Sequence, residues 1–152
     1  MVHVRDVMTS DPVTVGPGAS YGEIADLLLA HDISSLPVID AHGTLLGIVT
    51  EADLVSREAY GPDRRRPLGL IVDYLRDRDP AWVRKASATT AADLMTRVVT
   101  TASPDDEVRV TARRMLEGGR KRLPVVASDG RLVGIVSRRD VLAAATLGAA
   151  RG

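Results

Sequence analysis

Apolar residues in the first third of the chain form two continuous runs that flank a polar turn. Leu36 to Ile39 and Leu45 to Val49 are short, and the four residues Asp40 to Gly43 separate them. Two such runs around a turn that contains glycine predict a β-hairpin. The shorter run Val13 to Val15 is also typical of a β-strand.

Ahead of the hairpin, apolar residues recur at helical spacing. Ser20 is a residue type that caps helices, and Glu23 stands three residues later, as in a capping box. Asp32 follows this helix and can adopt the left-handed conformation that ends it. A second helix is predicted after the hairpin, with Thr50 as its cap. The apolar stripe of the first helix consists of Ile24, Leu27 and Leu28.

The whole pattern occurs twice, and its two copies keep a constant offset. DVMT, which begins at Asp6, returns as DLMT at Asp93, and LPVI returns as LPVV at the same spacing. GIVTEAD, which ends at Asp53, returns as GIVSRRD, which ends at Asp140. Because the register holds through loops as well as apolar runs, the chain contains an internal repeat.

The second copy predicts the same elements in the same order. A β-prone run covers Val99 to Thr101, and a helix is predicted to start at Ser103 to Asp106. Gly118-Gly119 end that helix, and Ser137 caps the next one. The apolar positions of this copy include Val108, Ala112, Met115, Leu116, Leu123 to Val126 and Leu132 to Val136.

Two β-α-β-β-α units are therefore predicted, in residues 1–57 and 91–152, and the fold class is α+β. One unit alone would bury too little apolar surface to be stable. Two units packed sheet against sheet would form an internal pseudo-dimer with a central cleft on its pseudo-twofold axis. Residues 58–90 form an insert, with a predicted loop over Tyr60 to Pro67, a short helix over Leu68 to Arg76, and a docked Trp82-Val83.

Charge and composition exclude several classes of protein. Lys and Arg number 20 and so do Asp and Glu, so no net field draws the chain to nucleic acid or to an anionic membrane. Cysteine is absent, which removes disulfides and thiolate nucleophiles. The N-terminus lacks an apolar signal region, and no apolar stretch approaches the roughly 20 residues of a membrane span. We expect a soluble, cytoplasmic protein.

Residues for catalysis or metal binding are not evident. His3, His31 and His42 lack metal-ligand spacing, and phosphate loops and dinucleotide motifs are absent. Arg64-Arg65-Arg66 could contact nucleic acid or an acidic partner, but an exposed basic triplet is more often only solvated. The prediction is no catalytic residue, no metal, no cofactor and no nucleic-acid partner.

Each copy places a hydroxyl three residues ahead of an aspartate where a helix starts. Thr50 with Asp53, and Ser137 with Asp140, fit helix capping, in which the hydroxyl accepts a backbone N–H and the acid faces the positive helix end. A short carboxylate at this point could also accept two hydrogen bonds from a ribose diol, and the N–H groups suit a phosphate. The two interpretations are compatible, and both stay open here.

Taken together, DVMT, ISSLPVID and GIVTEAD with their second copies resemble a tandem pair of CBS domains, the regulatory unit also called a Bateman module. The resemblance covers about residues 4–57 and 91–146. It implies a stand-alone module that is not an enzyme. Such a module binds an adenosine-containing ligand, such as AMP, ADP, ATP or S-adenosylmethionine, in the cleft between the repeats, and commonly forms homodimers.

The resemblance also implies which residues would contact the ligand. Asp53 and Asp140 would hold the ribose, and Thr50 and Ser137 the ribose or a phosphate. The remaining contacts would come from Val13, Ile33, Ser34, Ser35 and Pro37 in the first copy, and from Val99, Thr100, Arg120, Lys121, Arg122 and Pro124 in the second.

The copies differ just before the LPV strand, where residues 33–35 are ISS and residues 120–122 are RKR. A solvated basic turn would explain the second tract. Alternatively, Lys121 and Arg122 face the cleft and attract a phosphorylated ligand. Arg120 departs from the resembled family, which has an apolar residue there to cover the base, so the better base pocket belongs to Ile33.

Three hypotheses of different class follow. The first is an adenine-nucleotide sensor whose ligand alters the geometry of a homodimer, acting in trans on an unknown partner because no effector domain is attached. The second is a ligand-free scaffold for dimerisation and partner docking. The third is an enzyme, but the sequence shows no set of catalytic residues that would support it. We predict that the apolar residues of these helices are divided between internal packing and the dimer surface. They are Ile24, Leu28, Met115 and Leu116.

Overall fold

A computed structural model describes residues 1–60, 90–97 and 99–151 of the chain. The predicted loop, helix and docked tryptophan of the insert, and Arg64-Arg65-Arg66, lie outside the described residues, apart from Tyr60. The first repeat contains α1 (Val4–Val7), β1 (Thr9–Ser10), α2 (Tyr21–Ala30), β2 (Ser35–Ile39), β3 (Leu45–Thr50) and α3 (Glu51–Tyr60). The second contains α4 (Ala91–Leu94), α5 (Val108–Glu117), β4 (Arg122–Val126), β5 (Leu132–Ser137) and α6 (Arg138–Arg151). The mixed α and β fold is confirmed.

Both hairpins form as predicted. β2 pairs with β3, and β4 pairs antiparallel with β5, with Leu123 opposite Val136. Gly43 and Gly130 occupy equivalent turn positions with φ of 83° and 88°. Only glycine adopts such angles at little cost, so these two residues allow the chain to reverse.

The predicted first strands are reduced to single bridges, which corrects the sequence analysis. Val15 bridges Val38 and Ala102 bridges Val125, both in parallel. To extend either ladder toward the N-terminus, Pro37 or Pro124 would have to donate a backbone hydrogen bond, which proline cannot do. The pairing therefore stops after one residue in each copy.

Local signals set the ends of the helices. Ser20 Oγ accepts from the Glu23 N–H at 3.1 Å, as the predicted cap requires. Asp32 and Gly119 follow α2 and α5 in the left-handed conformation, with φ of 49° and 62°. α5 begins later than predicted, at Val108, because Ser103 and Asp106 form a separate turn in which the Ser103 N–H donates to Asp106 Oδ2 at 2.9 Å.

The compact units of the structure do not coincide with the two halves of the chain. One unit comprises residues 1–12, 41–45 and 99–152, and the other comprises 13–40 and 46–98. The lead segment of each repeat therefore packs with the other repeat. Val4 in α1 and Leu94 in α4 are completely buried in these exchanged positions.

Hydrogen bonds hold both exchanged segments in place. In the first unit, Thr9 pairs with Ile135 of β5, and the Val4 N–H donates to the Asp106 carbonyl at 2.9 Å. In the second unit, Thr96 and Ile48 exchange hydrogen bonds of 2.9 and 3.0 Å. Each sheet thus gains backbone partners from the segment that begins the opposite repeat.

The glycine of each GIV motif makes this exchange possible. A Cβ on Gly134 would lie 2.7 Å from the Thr9 carbonyl oxygen and 2.8 Å from Met8 Sδ. A Cβ on Gly47 would lie 2.5 Å from the Thr96 carbonyl oxygen. Real Cβ atoms do not approach so closely, so only glycine lets the exchanged backbone cross the strand here.

Candidate functional site

The segment Thr50 to Asp53, called the first corner below, joins β3 to α3. The Thr50 N–H donates to Asp53 Oδ2 at 2.8 Å, and Thr50 Oγ1 donates to the same oxygen at 3.1 Å. The Asp53 N–H lies 3.4 Å from Thr50 Oγ1. Asp53 is buried. The two hydrogen bonds from Thr50 hold its carboxylate at the positive end of α3.

The segment Ser137 to Asp140, called the second corner, repeats this geometry between β5 and α6. The Ser137 N–H donates to Asp140 Oδ2 at 2.7 Å, and the Asp140 N–H donates to Ser137 Oγ at 3.2 Å. Asp140 is half-buried. Its second oxygen, Oδ1, accepts no hydrogen bond from the described residues, so one carboxylate oxygen can receive an incoming donor.

The capping interpretation of both corners is confirmed by these distances. Parts of this device occur away from the corners. The His3 N–H donates to Asp6 Oδ2 at 2.9 Å, and Thr90 Oγ1 donates to Asp93 Oδ2 at 2.9 Å, although the Thr90 hydroxyl caps no backbone N–H. Capping alone therefore explains the shape of the motif. A ligand role would use the remaining acceptor capacity of the same carboxylates.

The segment before each LPV strand lies beside the corner of its own repeat. The Glu51 N–H donates to the Ser34 carbonyl at 2.9 Å, and the Arg138 N–H donates to the Lys121 carbonyl at 3.0 Å. The structure thus brings together, in each repeat, the two stretches in which the sequence predicted ribose and phosphate contacts.

The predicted base contacts differ between the repeats. Val13 and Ile33 are half-buried and pack against the core of their unit. In the second repeat Val99 is half-buried, whereas Thr100 and Arg120 are exposed. Ser34 and Ser35 are half-buried, and Pro37 and Pro124 are buried in their strands. The first repeat therefore has half-buried apolar side chains where the second has exposed polar ones, and the base pocket at Ile33 stays a prediction.

The second corner has more basic side chains near it than the tract of residues 120–122 that was predicted. Arg120, Lys121 and Arg122 are exposed, and Arg138 Nε donates to the Arg120 carbonyl at 3.1 Å. Arg138 and Arg139 stand inside the S-x-x-D motif, where the first corner has Glu51 and Ala52. Aligning the two copies residue by residue would have found this difference.

Two grooves in the described part of the chain do not contain the predicted ligand residues. One, of about 470 Å³, is lined by Val108, Ala112, Val141, Ala144 and Ala145 with residues from the N-terminus and the start of α5. The other, of about 490 Å³, lies around Ser103, Asp106 and Arg114.

The first groove corresponds to a filled region of the other repeat. Tyr21 occupies the position equivalent to Val108, its hydroxyl donates to Glu58 Oε1 at 2.7 Å, and the Arg57 guanidinium lies 4.2 Å from its ring centroid. Ala144 and Ala145 replace that arginine and glutamate in the second repeat. The groove is therefore the space that smaller side chains leave.

Among residues 1–60, 90–97 and 99–151, no group of His, Asp and Glu side chains is arranged to hold a metal ion. In the same ranges, no helix has the length and apolar character needed to cross a membrane.

Several proteins of known sequence are similar to this chain. An uncharacterized protein of Methanocaldococcus jannaschii is 31% identical over 93% of this chain and 89% of its own length. The chloroplastic CBS domain-containing protein CBSX2 of Arabidopsis thaliana is 31% identical over 86% of the chain. The L-aspartate semialdehyde sulfurtransferase of M. jannaschii is 30% identical over 91% of the chain. The chain spans 57% of the Arabidopsis protein and 22% of the sulfurtransferase.

Solved structures are similar over 97% or more of the chain. The crystal structure of CBSX2 in complex with AMP has a TM-score of 0.77 and 30% identity, with 97% of this chain and 98% of that one covered. The CBS domain pair of protein MJ0100 in complex with 5′-methylthioadenosine and S-adenosyl-L-methionine has a TM-score of 0.71 and 28% identity, with 100% and 99% covered. The model of the CBS domain family matches residues 4–60 and 91–146. The chain therefore belongs to the CBS domain family and carries two CBS repeats in tandem.

Proposed function

We propose that this protein is a non-enzymatic regulatory module that binds an adenosine-containing ligand at one or both corners. The observation that carries the proposal is the doubled corner, in which Asp53 and Asp140 are fixed at helix starts beside the segments 33–35 and 120–122. Similar CBS pairs bind AMP, 5′-methylthioadenosine and S-adenosyl-L-methionine, which share an adenosine group.

The corner chemistry suits a ribose. A carboxylate that already accepts a backbone N–H on one oxygen keeps lone pairs for two vicinal hydroxyls, and it costs little to position because the helix start holds it. At the second corner, Asp140 Oδ1 is the acceptor. Val13 and Ile33 offer an apolar surface for the base in the first repeat.

A homodimer is the second part of the proposal. The helices of both repeats carry exposed apolar residues at equivalent positions, Leu29 with Leu116 and Val55 with Leu142, each more than 60% exposed. Of the four residues assigned to a dimer surface from the sequence, Leu116 is exposed, whereas Ile24, Leu28 and Met115 are buried. A second copy would cover exposed leucines that a monomer leaves in water.

The output would act in trans on a protein effector, in the cytoplasm, as the sequence analysis predicted. A ligand-free scaffold is the alternative function, and the observation that favours it is that helix capping already accounts for both aspartates. The alternative predicts that adenosine ligands bind to neither corner.

Calorimetric titration of AMP, adenosine and S-adenosylmethionine into the wild type and Asp140→Ala tests the proposal. Loss of the carboxylate should weaken binding at the second corner by about 1.5–3 kcal/mol, as for a hydrogen bond to a charged group. It should also destabilise the fold by about 1 kcal/mol through the lost cap.

Asp6→Ala is the matched control, because it removes a carboxylate that accepts a backbone N–H three residues earlier, that of His3, outside both corners. It should cost similar stability and leave affinity unchanged. Unchanged affinity in Asp53→Ala, Asp140→Ala and the double variant would show that the aspartates only cap helices.

A further inference from the structure

The groove between α5 and α6 is an apolar surface that the described residues leave open to solvent. It lies within one compact unit of the structure. Val108 and Ala144, which are 8% and 6% exposed, line it together with the half-buried Ala112 and Val141. Its volume of about 470 Å³ falls within the roughly 300–1,000 Å³ typical of binding sites.

The first repeat shows which side chain the equivalent space accommodates. There the Tyr21 ring packs against the core of its unit, and the Arg57 guanidinium lies 4.2 Å from the ring centroid. The Tyr21 hydroxyl donates to Glu58 Oε1 at 2.7 Å. The space between the two helices of a repeat therefore fits a phenol whose ring meets a cation and whose hydroxyl meets an acid.

The second repeat lacks this ring and its two charged neighbours. Val108 replaces Tyr21, and Ala144 and Ala145 replace the arginine and the glutamate. All three substitutions remove side-chain volume from the same place. The second repeat has thus lost the whole cluster that fills this space in the first.

The loss uncovers apolar surface on the helix that follows the hairpin. Leu54 is 5% exposed in the first repeat, and its carbonyl accepts from the Tyr21 hydroxyl at 3.3 Å. Its equivalent Val141 is only half-buried. A phenol supplied by another molecule would bury Val141 and would find a helix carbonyl in the same position.

An acid and a base nevertheless line the groove, and they come from the other helix. Glu107 and Arg109 replace the uncharged Ser20 and Gly22. The Arg109 guanidinium lies 3.8 Å from the Glu107 carboxylate, and the arginine side chain is 82% exposed. Because so long and exposed an ion pair contributes little stability, both groups can turn to an incoming ring. The groove offers a cation for the ring face and a carboxylate for the hydroxyl, as the first repeat does.

We propose that the groove between α5 and α6 docks a segment of a partner protein that presents a tyrosine. The phenol would lie against Val108 and Val141, its hydroxyl would donate to Glu107, and Arg109 would lie over the ring. A free phenol would leave much of this open groove in water, whereas a peptide has neighbouring residues that cover it. Aromatic anchors of this kind dominate many protein interfaces. The inference does not depend on whether the corners bind adenosine.

NMR titrations of the full chain with four probes test the proposal. The probes are the peptide acetyl-Ala-Ala-Tyr-Ala-Ala-amide, the same peptide with phenylalanine or with alanine at its centre, and p-cresol, which is the phenol without a chain. Methyl signals report where each probe binds, because Val108, Ala112, Val141 and Ala144 contribute methyl groups to the groove.

The tyrosine peptide should shift these methyl signals and bind at least about threefold more tightly than p-cresol, whereas the alanine peptide should shift none of them. Glu107→Gln should weaken the tyrosine peptide about three- to tenfold, as expected for a charged hydrogen bond that is partly exposed. It should alter the phenylalanine peptide less than about twofold, since that peptide has no hydroxyl. The Glu107 side chain makes no capping hydrogen bond, so the start of α5 stays intact. Glu117→Gln, at the other end of α5, is the matched control and should change neither affinity.

Filling the groove provides a second test. Val108→Tyr with Ala144→Arg and Ala145→Glu gives the second repeat the cluster of the first. This variant should unfold at a higher temperature than the wild type, because it fills empty space, and should bind the tyrosine peptide at least about tenfold more weakly. Ala112→Leu narrows the groove by a single apolar change and should also weaken the peptide, so the test does not depend on the triple variant.

Each outcome decides the proposal. Equal shifts with the tyrosine and alanine peptides, or unchanged tyrosine-peptide affinity in both groove-filling variants, would show that the groove is not a tyrosine site. If p-cresol bound as tightly as the tyrosine peptide, the groove would be a site for a free phenol and the docking proposal would fail. If the groove methyl signals shifted when the protein alone was diluted, a second copy would be the occupant, which also overturns the proposal.

Discussion

Replacing Gly134 with alanine should displace the N-terminal segment from β5. The new Cβ would meet the Thr9 carbonyl oxygen at 2.7 Å, a backbone atom that cannot rotate away, and Met8 Sδ at 2.8 Å. Overpacking of this kind costs about 1–3 kcal/mol. For a chain of this length, 1 kcal/mol lowers the unfolding temperature by about 2–4 °C, so a fall of about 2–12 °C is expected.

Thermal unfolding followed by circular dichroism measures this shift, and hydrogen exchange of Thr9 and Ser10 shows whether the pairing with β5 opens first. Gly22→Ala is the matched control. A Cβ at Gly22 meets nothing closer than Ser20 Oγ at 4.0 Å, and alanine favours the helix by about 0.5–1 kcal/mol. If Gly134→Ala were as stable as Gly22→Ala, the close crossing of the two segments would be wrong.

Two other predictions concern the helices. Leu116→Glu with Leu142→Glu should convert the proposed dimer to a monomer in light scattering, whereas Val110→Glu, which copies the glutamate of the first repeat, should not. Burial, followed by the hydrogen bond to Glu58 and its charge, raises the pKa of Tyr21 to about 12 from 10.0. The neutral phenol is thus favoured in the folded protein, so the stability advantage of wild type over Tyr21→Phe, about 1 kcal/mol at pH 7, should shrink as pH rises from 10 to 12. A constant advantage in urea unfolding across that range would contradict the assignment.

Local chemistry made much of the fold predictable. The hairpin turns, the Ser20 cap and the left-handed residues Asp32 and Gly119 depend on neighbours within a few positions, and all were found where the sequence placed them. The shortened first strands could have been found as well, because Pro37 and Pro124 visibly lack the donors that a longer ladder needs.

The exchange of lead segments could not be predicted from the repeat. DVMT and DLMT present nearly the same side chains, so each could pack on its own sheet or on the other with similar contacts. Chain connectivity and long-range packing decide between these arrangements, and neither leaves a local pattern. The charge difference between Glu51-Ala52 and Arg138-Arg139 is visible in the sequence when the two copies are aligned inside the S-x-x-D motif.

The exchanged segments also connect each corner, through hydrogen bonds, to a different part of the chain. Ser10 pairs with Gly134, three residues before Ser137, so tension on the N-terminus would reach the second corner directly through β5. Thr96 bonds to Ile48, two residues before Thr50, so tension arriving from the insert would reach the first corner instead. A partner that binds the N-terminus and one that binds the insert would therefore act on different corners of the same molecule.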